Sequence, residues 1–272
     1  MEILRTLSGL KINTVCQQAR CPNLSHCFKN KELTLMILGN TCTRNCRFCA
    51  VAKSGGSSLS IDEEEPTRIA RFIKDLGINY VVVTSVTRDD IPDGGAGHFA
   101  KTLASIHAIN RNIKVEVLIP DFKADASSLK TVIDADPSVV AHNLETVRRL
   151  YQGLKPDSNY EVSLRILKKI KEIKPGLITK SSLVLGLGET KSEVISAMQD
   201  LKNARCDILV LGQYLAPTLG HYPVRDFISL DTFRKYRDIG VRLGFKAVSS
   251  GPLVRSSYKA NKIYKEAYSC MM

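Results

Sequence analysis

The sequence predicts an α/β protein in which six strand–helix units form a partial (β/α)6 barrel of parallel strands, with N-terminal and C-terminal extensions. Three observations predict this class. Short runs of Val, Ile and Leu recur along the chain, amphipathic segments separate them, and the length of 272 residues suits one large domain. Near-continuous apolar runs are typical of parallel strands buried on both faces. A doubly wound sheet shares this pattern and stays open as an alternative.

Six segments have the composition of buried strands, because they are rich in apolar residues and end in polar or glycine-containing segments. The predicted strands span residues 33–39, 80–86, 115–120, 139–143, 177–186 and 207–215. In a barrel or a doubly wound sheet, functional sites lie at the carboxyl ends of such strands. We therefore expect the residues that follow each strand to carry the chemistry.

Amphipathic segments with helix start and stop signals follow the strands. The first has Pro66 in its first turn and Gly77 at its end, and the last ends at Gly244. The predicted helices span residues 64–77, 98–110, 127–135, 159–173, 190–204 and 231–244. Alternation of strands and helices predicts parallel βαβ units with right-handed crossovers.

The pattern divides the chain into three parts. Residues 1–32 lack sustained periodicity and are predicted to be an irregular extension with two cysteine-bearing turns. Residues 33–250 hold the strand–helix repeats. Residues 251–272 lie outside the repeats and are predicted to be a C-terminal extension.

Charge and hydropathy limit the kinds of partner and the compartment that the sequence predicts. The chain has 39 Lys and Arg against 27 Asp and Glu, a net charge of +12, which favours acidic partners. It lacks the interleaved aromatic and basic residues of an RNA-binding sheet, so we do not expect nucleic acid as a partner. No apolar run approaches the roughly 18 residues of a membrane span, and the start is too polar for a secretory signal. We expect a cytoplasmic protein without a membrane partner.

Cysteine spacing is the most informative feature. Six of the eight cysteines lie between Cys16 and Cys49. In a reducing compartment such a group indicates metal or redox chemistry, and disulfide pairing is the minor alternative. The two remaining cysteines have no motif partners. We expect Cys206 in the core and Cys270 in a loose tail.

The segment C-T-R-N-C-R-F-C places Cys42, Cys46 and Cys49 on one loop directly after the first predicted strand. Three thiolates can hold three irons of a [4Fe–4S] cluster and leave the fourth iron open to a substrate or cofactor. A zinc site is the alternative, although structural zinc sites usually have four protein ligands.

This spacing, with Phe48 before the last cysteine, resembles the signature of the radical S-adenosylmethionine (SAM) superfamily. The resemblance implies that SAM chelates the open iron through its amino and carboxylate groups. It also implies that one-electron reduction cleaves SAM to a 5′-deoxyadenosyl radical, which abstracts hydrogen from unactivated carbon. Cys42, Cys46 and Cys49 would then be catalytic as ligands of this radical cluster.

A second triplet, Cys16, Cys21 and Cys27, lies in C-Q-Q-A-R-C-P-N-L-S-H-C. By itself it could be a zinc turn in which His26 takes part. Together, the two triplets resemble the lipoyl synthase family. That resemblance implies that the N-terminal triplet holds an auxiliary [4Fe–4S] cluster, whose fourth ligand is Ser257 of the R-S-S-Y segment 255–258. A serine oxygen is a harder ligand than a thiolate, so Ser257 is also expected to be catalytic.

The resemblance covers nearly the whole chain. Residues 83–99, V-T-S-V-T-R-D-D-I-P-D-G-G-A-G-H-F, and residues 142–147, H-N-L-E-T-V, match blocks of the family. Without side chains, the glycines of the first block would let the backbone approach a ligand closely. The residues expected to contact SAM are Thr84, Asp93, Gly94, Gly95, Asn143 and Glu145.

The family resemblance also implies the reaction. Two sulfur atoms would be inserted at carbons six and eight of an octanoyl group on a lysine of a carrier, with the auxiliary cluster as sulfur donor. Two SAM molecules would be consumed. The carrier would be the lipoyl domain of a 2-oxoacid dehydrogenase or the glycine cleavage H protein, and ferredoxin or flavodoxin would donate electrons. Another sulfur-inserting radical enzyme, such as a methylthiotransferase, and a non-catalytic iron–sulfur electron-transfer protein are the alternatives.

Overall fold

The computed structural model describes residues 2–56 and 60–270. The chain forms two compact units. The first comprises Met1–Arg44 and Ala50–Ser138, and the second comprises Asn45–Cys49 and Val139–Met272. Among the described residues, no helix has both the length and the apolarity needed to cross a membrane.

The first unit has a sheet in the order β1-β2-β5-β6, in which β2, β5 and β6 are parallel and the short β1 is antiparallel to β2. A separate parallel pair, β3 and β4, flanks the cysteine loop in sequence. The strands are β1 (Asn13–Thr14), β2 (Thr34–Ile37), β3 (Thr41–Cys42), β4 (Ala52–Lys53), β5 (Tyr80–Ser85) and β6 (Lys114–Leu118). The helices are α1 (Glu2–Gly9), α2 (Val15–Gln18), α3 (Leu24–Lys29), α4 (Glu65–Asp75), α5 (Ala96–Ile109) and α6 (Ala126–Asp134).

The core of the first unit follows from its β-branched strands and amphipathic helices. In β5, Val81 and Val83 are at most 1% exposed, as the continuous apolar run predicts. Phe72 of α4 and Phe99 of α5 are fully buried, and the ring of Phe99 packs edge-on against that of Phe122. These contacts fix the positions of the segments that follow β2, β5 and β6.

The second unit has a parallel sheet in the order β7-β8-β9-β10. Its strands are β7 (Val139–Ala141), β8 (Ile178–Leu185), β9 (Ile208–Gln213) and β10 (Ala247–Gly251). Its helices are α7 (Arg148–Leu154), α8 (Tyr160–Ile173), α9 (Lys191–Asn203), α10 (Leu230–Arg242) and α11 (Ala260–Ser269).

Side-chain caps define where the helices of the second unit begin. The N-caps of α8 and α10, Asn159 and Ser229, each accept a hydrogen bond from a backbone N–H of the first turn. In α9, Thr190 and Glu193 form a reciprocal capping box. At the other end of α10, Gly244 has a φ of +85°, which glycine adopts without steric cost.

All six predicted strands and all six predicted helices are confirmed, with boundaries that differ by at most a few residues. The N-terminal extension is not irregular, because it contains α1, α2, α3 and β1. The C-terminal segment is also more regular than predicted, since it contains α11. A further parallel strand that the sequence did not predict, β10, immediately precedes α11's segment and pairs with β9. Cys270 therefore ends a helix rather than lying in a loose tail. Cys206 is buried in the core as expected.

Candidate iron–sulfur and cofactor site

The N-terminal triplet lies on a compact helix–turn–helix of the first unit. Cys16 is in α2, Cys27 is in α3, and Cys21 is in the turn that joins them. The backbone N–H of Cys21 donates to the carbonyl of Cys16 at 3.0 Å, which closes the turn. Thr14 caps α2 by accepting from the backbone N–H of Gln17. This local structure brings Cys16 and Cys21 together.

The thiols of this triplet are partly shielded from solvent. Cys16 and Cys27 are buried, and Cys21 is half-buried. Burial raises the pKa of the Cys16 thiol, hydrogen bonds from Thr34 oppose this, and the charge of Cys21 raises it further. Cys16 and Cys21 are thus close enough to interact electrostatically, as two ligands of one centre must be.

In the first unit, the second triplet begins at Cys42, the last residue of β3. Arg44 follows within the loop and is 7% exposed. Its guanidinium binds the Asp89 carboxylate through Nε at 2.7 Å and Nη2 at 2.9 Å, and it binds both oxygens of Asp121 at 2.5 Å. Asp89 follows β5 and Asp121 follows β6, so Arg44 ties the cysteine loop to two strand ends.

This cluster of Arg44, Asp89 and Asp121 is a doubly bidentate ion pair, the strongest geometry available to a guanidinium. Burial by itself would lower the pKa of Arg44, but hydrogen bonds to Asp89 and Asp121 raise it above its ordinary value. Thr43 adds a backbone N–H donated to the carbonyl of Thr87 at 3.0 Å. Cys42 is therefore held at a fixed position on the first unit.

In the second unit, the loop continues through Cys46 and Cys49. The backbone N–H of Arg47 donates to the carbonyl of Leu154 at 2.9 Å, and the N–H of Tyr222 donates to the carbonyl of Arg47 at 3.0 Å. Phe48 packs against an apolar cluster that contains Leu154, Leu187 and Tyr214. The aromatic residue of the motif thus anchors the loop.

A buried lysine lies near Cys46. Lys155 is 8% exposed, and its ammonium donates to the hydroxyl of Tyr151 at 3.0 Å. Burial would lower the pKa of Lys155, but Tyr151, Glu145 and Cys46 together raise it above its ordinary value. A retained positive charge beside Cys46 favours the thiolate, which is the form that binds metal.

The segment Asp93–Gly95 begins α5, and its glycines are required by packing as well as by backbone conformation. Gly94 and Gly95 have φ values of +61° and +93°. A Cβ on Gly95 would lie 2.2 Å from Leu38, and one on Gly94 would lie 2.8 Å from Phe122. Leu38 and Phe122 therefore occupy the space that a Cβ would take at these two glycines, and approach of this backbone to SAM stays a prediction.

Asp93 and Thr84 both have partners within the first unit. The Asp93 carboxylate accepts from the backbone N–H of Gly95 at 2.9 Å and of Gly97 at 2.7 Å. The Thr84 hydroxyl donates to the carbonyl of Leu118 at 2.9 Å. These bonds shape the strand ends, and contact of either residue with SAM stays a prediction.

The second unit brings together two motifs that are 113 residues apart in sequence. The Ser256 hydroxyl donates to Asn143 Oδ1 at 3.1 Å, and Asn143 Nδ2 donates to Glu145 Oε1 at 3.0 Å. Burial raises the pKa of Glu145, against the opposing effects of Lys155 and Asn143. The R-S-S-Y segment, with Ser257, therefore lies beside the residues that follow β7.

Comparison with known proteins identifies the family. Residues 36–201 match the Radical SAM superfamily. A lipoyl synthase of Caldanaerobacter subterraneus subsp. tengcongensis is 51% identical over 94% of this chain and 89% of that protein. One from Aquifex aeolicus is 51% identical over 95% of this chain and 93% of that protein. The chain belongs to the lipoyl synthase family.

Solved structures agree at the level of fold. Methylornithine synthase superposes with a TM-score of 0.60 at 15% identity, over 79% of this chain and 63% of that one. With the largely parallel strands, this likeness confirms the predicted fold class, an α/β partial barrel. As a member of the lipoyl synthase family within the radical SAM superfamily, the protein uses SAM and a [4Fe–4S] cluster.

The chain supplies thiols of the kind that an iron–sulfur cluster needs. All eight cysteines lie within the described ranges and carry thiols rather than disulfides. Arg44 and Phe48 hold the C-T-R-N-C-R-F-C loop in place, and the buried ammonium of Lys155 lies near Cys46. Within residues 2–56 and 60–270, no group of three or more His, Cys, Asp and Glu side chains is arranged for a single metal ion. Which residues ligate each cluster is therefore a proposal.

Sequence reasoning missed the residues that position the loop. Asp121 directly follows a predicted strand and Asp89 lies three residues after another, which is where site residues are expected, and Arg44 lies inside the cysteine motif. The positions of these residues were visible in the sequence, but Arg44 is 45 residues from Asp89 and 77 residues from Asp121, so their pairing was not. Glu65 was also missed; its carboxylate binds the backbone N–H of Leu38 at 2.7 Å and His98 at 2.8 Å.

Proposed function

We propose that this protein inserts two sulfur atoms at carbons six and eight of a protein-bound octanoyl-lysine and so makes lipoyl-lysine. The observation that carries the proposal is the presence of both cysteine triplets and the R-S-S-Y segment in a chain about half identical to lipoyl synthases over nearly its whole length. An enzyme that only generates a radical would need one cysteine triplet, and would have no use for a second triplet that holds a sulfur-donating cluster.

Cys42, Cys46 and Cys49 are proposed to hold the radical cluster, and Cys16, Cys21, Cys27 and Ser257 the auxiliary cluster. When bound, these groups together with SAM supply a hydrogen-abstracting radical and the sulfur that is inserted. The residues of the chain hold and tune them: Arg44 fixes the loop at Cys42, Phe48 anchors it near Cys49, and Lys155 favours the thiolate of Cys46.

The site residues proposed for SAM are Thr84, Asp93, Gly94, Gly95, Asn143 and Glu145. Asn143 and Glu145 support this best, because their hydrogen-bonded side chains lie next to Ser256 at the carboxyl end of β7. Polar groups at strand ends are the usual ligand contacts of parallel α/β folds. Asp93 would act through the backbone of the Gly94–Gly95 turn that it fixes.

The proposed substrate is an octanoylated carrier, either the lipoyl domain of a 2-oxoacid dehydrogenase or the glycine cleavage H protein. The proposed electron donor is ferredoxin or flavodoxin. The cytoplasm is the proposed compartment, since thiolate ligands and reduced clusters suit a reducing environment. The basic charge of the chain supports an acidic carrier.

The test is mass spectrometry of an octanoylated carrier peptide after incubation with the reduced, anaerobic protein and SAM. The expected product has gained two sulfur atoms and lost two hydrogen atoms. Cys16→Ala is expected to keep SAM cleavage and lose sulfur insertion, whereas the matched control Cys270→Ser keeps both. A protein that forms no 5′-deoxyadenosine would instead be an electron-transfer protein, and the proposal would fail.

A further inference from the structure

Two segments of the second unit meet at the carboxyl end of β9. The backbone N–H of Gln213 donates to the carbonyl of Pro252 at 3.3 Å. Its side chain donates to the carbonyl of Asp226 at 3.0 Å and accepts from the N–H of Ile228 at 2.9 Å. Gln213 therefore holds the segments that contain Phe227 and Leu253 at one strand end.

Large apolar side chains on these segments face solvent. Leu219 is 105% exposed, Phe227 72% and Leu253 54%. Single exposed apolar residues are ordinary, but three of them, two on the β9–α10 connection and one just after β10, indicate an interaction surface. We call Leu219, Phe227 and Leu253 the apolar rim.

The apolar rim lies next to two segments that are proposed to hold the clusters, the cysteine loop and the R-S-S-Y segment. The N–H of Tyr222, between Leu219 and Phe227, donates to the carbonyl of Arg47 in the cysteine loop at 3.0 Å. Leu253 is followed within four residues by Ser257. A partner seated on the rim would therefore lie next to both the cysteine loop and the R-S-S-Y segment.

Charge indicates the chemistry of that partner. The second unit has 23 Lys and Arg against 12 Asp and Glu, a net charge of +11 out of the total of +12. Arg225 is exposed on the segment that carries Phe227, with Asp226 as the acidic residue between them. Arg47 is exposed in the cysteine loop that Tyr222 contacts, and Lys259 is exposed just beyond Ser257. An apolar centre with a basic edge is the arrangement of a protein interface. Phe227 is the one rim side chain that could stack on a base, since Leu219 and Leu253 are aliphatic, and a single ring disfavours a nucleic-acid surface that stacks successive bases.

We infer that the apolar rim is the docking surface for an acidic, folded carrier domain that bears the acyl-lysine. This inference rests on the proposed function and deepens it, because it separates recognition of the carrier from recognition of its acyl arm. Phe227 and Leu253 act as the anchors, and Arg47 and Arg225 steer the approach and fix the orientation.

The test is the dissociation constant of a fluorescently labelled octanoylated carrier domain, measured by anisotropy with the anaerobic holoprotein. The double variant Phe227→Ser/Leu253→Ser is expected to raise it by about ten-fold or more. Val241→Ser is the matched control, since Val241 is 57% exposed on α10 of the same unit. It is expected to change the dissociation constant by less than about two-fold.

A second test changes charge instead of apolar contacts. Arg225→Glu is expected to weaken carrier binding several-fold more than Arg234→Glu, which reverses the charge of an exposed residue of α10. The difference is expected to shrink as salt is raised. Equal effects of the two reversals would contradict a local basic edge.

Separate readouts distinguish failure of the inference from failure of the proposed function. Unchanged carrier affinity in the double variant, with sulfur insertion intact in the wild type, would overturn the docking surface alone. Absence of sulfur insertion from the wild type would overturn the proposed function whatever the binding result. If the double variant loses affinity for a single-stranded RNA oligonucleotide and keeps affinity for the carrier, the rim is a nucleic-acid surface and the inference is wrong. A larger loss of kcat/KM on the folded carrier than on a short octanoyl-lysine peptide would support it.

Discussion

The two units differ in how the residues at the carboxyl ends of their strands are buried or exposed. In the first, charges are paired inside the protein, as in the cluster of Arg44, Asp89 and Asp121, and the Gly95 turn is packed against Leu38. In the second, strand-end segments leave Leu219, Phe227 and Leu253 exposed.

Net charge follows the same division. The first unit has 16 Lys and Arg against 15 Asp and Glu, whereas the second has 23 against 12. This difference indicates that the two units have different roles. The first holds its part of the site rigid, and the second binds a partner. Matched substitutions in the two units test this difference.

The largest expected effect is at the ion-pair cluster of the first unit. Asp121→Ala leaves the Arg44 guanidinium buried with one of its two carboxylates missing, so the free energy of unfolding should fall by about 3–5 kcal/mol. Asp134→Ala is the control, because it breaks the exposed pair with Lys130 and should cost about 0.5 kcal/mol. Anaerobic urea denaturation measures both. Similar losses for the two variants would show that the cluster does not stiffen the first unit.

A smaller effect is expected at the glycine turn. Gly95→Ala adds a methyl 2.2 Å from Leu38, while Gly188→Ala, in the second unit, meets only ordinary contacts at 3.5 Å. Both glycines have positive φ, so the backbone strain is shared and the difference isolates packing. Gly95→Ala should cost about 1–3 kcal/mol more in the free energy of unfolding, and equal costs would mean that the Gly95 turn is not tightly packed against Leu38.

The sequence could predict which segments become strands and helices, because burial on both faces and amphipathic periodicity are local signals. It could not predict β10, whose residues Ala-Val-Ser-Ser-Gly lack a continuous apolar run, or α2 and α3, which are too short for periodicity. The two cysteine triplets were readable as motifs, and their role as cluster ligands stays a prediction. The cluster of Arg44, Asp89 and Asp121 was not, since only the fold brings those residues together.

The smallest effect is expected at the capping box of α9, in the second unit. Hydrogen bonds from Arg149 and from the Thr190 backbone lower the pKa of Glu193 to about 2. Because the folded-state pKa lies below the unfolded value of 4.5, this stabilisation is present above pH 4.5 and is lost as the pH falls towards 2.

Glu193→Gln should therefore lower the free energy of unfolding by about 0.5–1 kcal/mol at pH 7, and the gap between variant and wild type should narrow in acid. Denaturation at a series of pH values measures this gap. Glu172→Gln, at an exposed i,i+3 pair with Lys169, is the control. A gap that is constant with pH would remove Glu193 as the titrating group.

The proposed function requires that one chain hold two [4Fe–4S] clusters, one on each cysteine triplet. Iron and sulfide analysis of anaerobically reconstituted protein, with Mössbauer spectroscopy, measures this. We expect about eight irons per chain in the wild type and about four in either Cys16→Ala/Cys21→Ala/Cys27→Ala or Cys42→Ala/Cys46→Ala/Cys49→Ala. A wild-type protein that never exceeds about four irons, or that binds zinc at the N-terminal triplet, would contradict it.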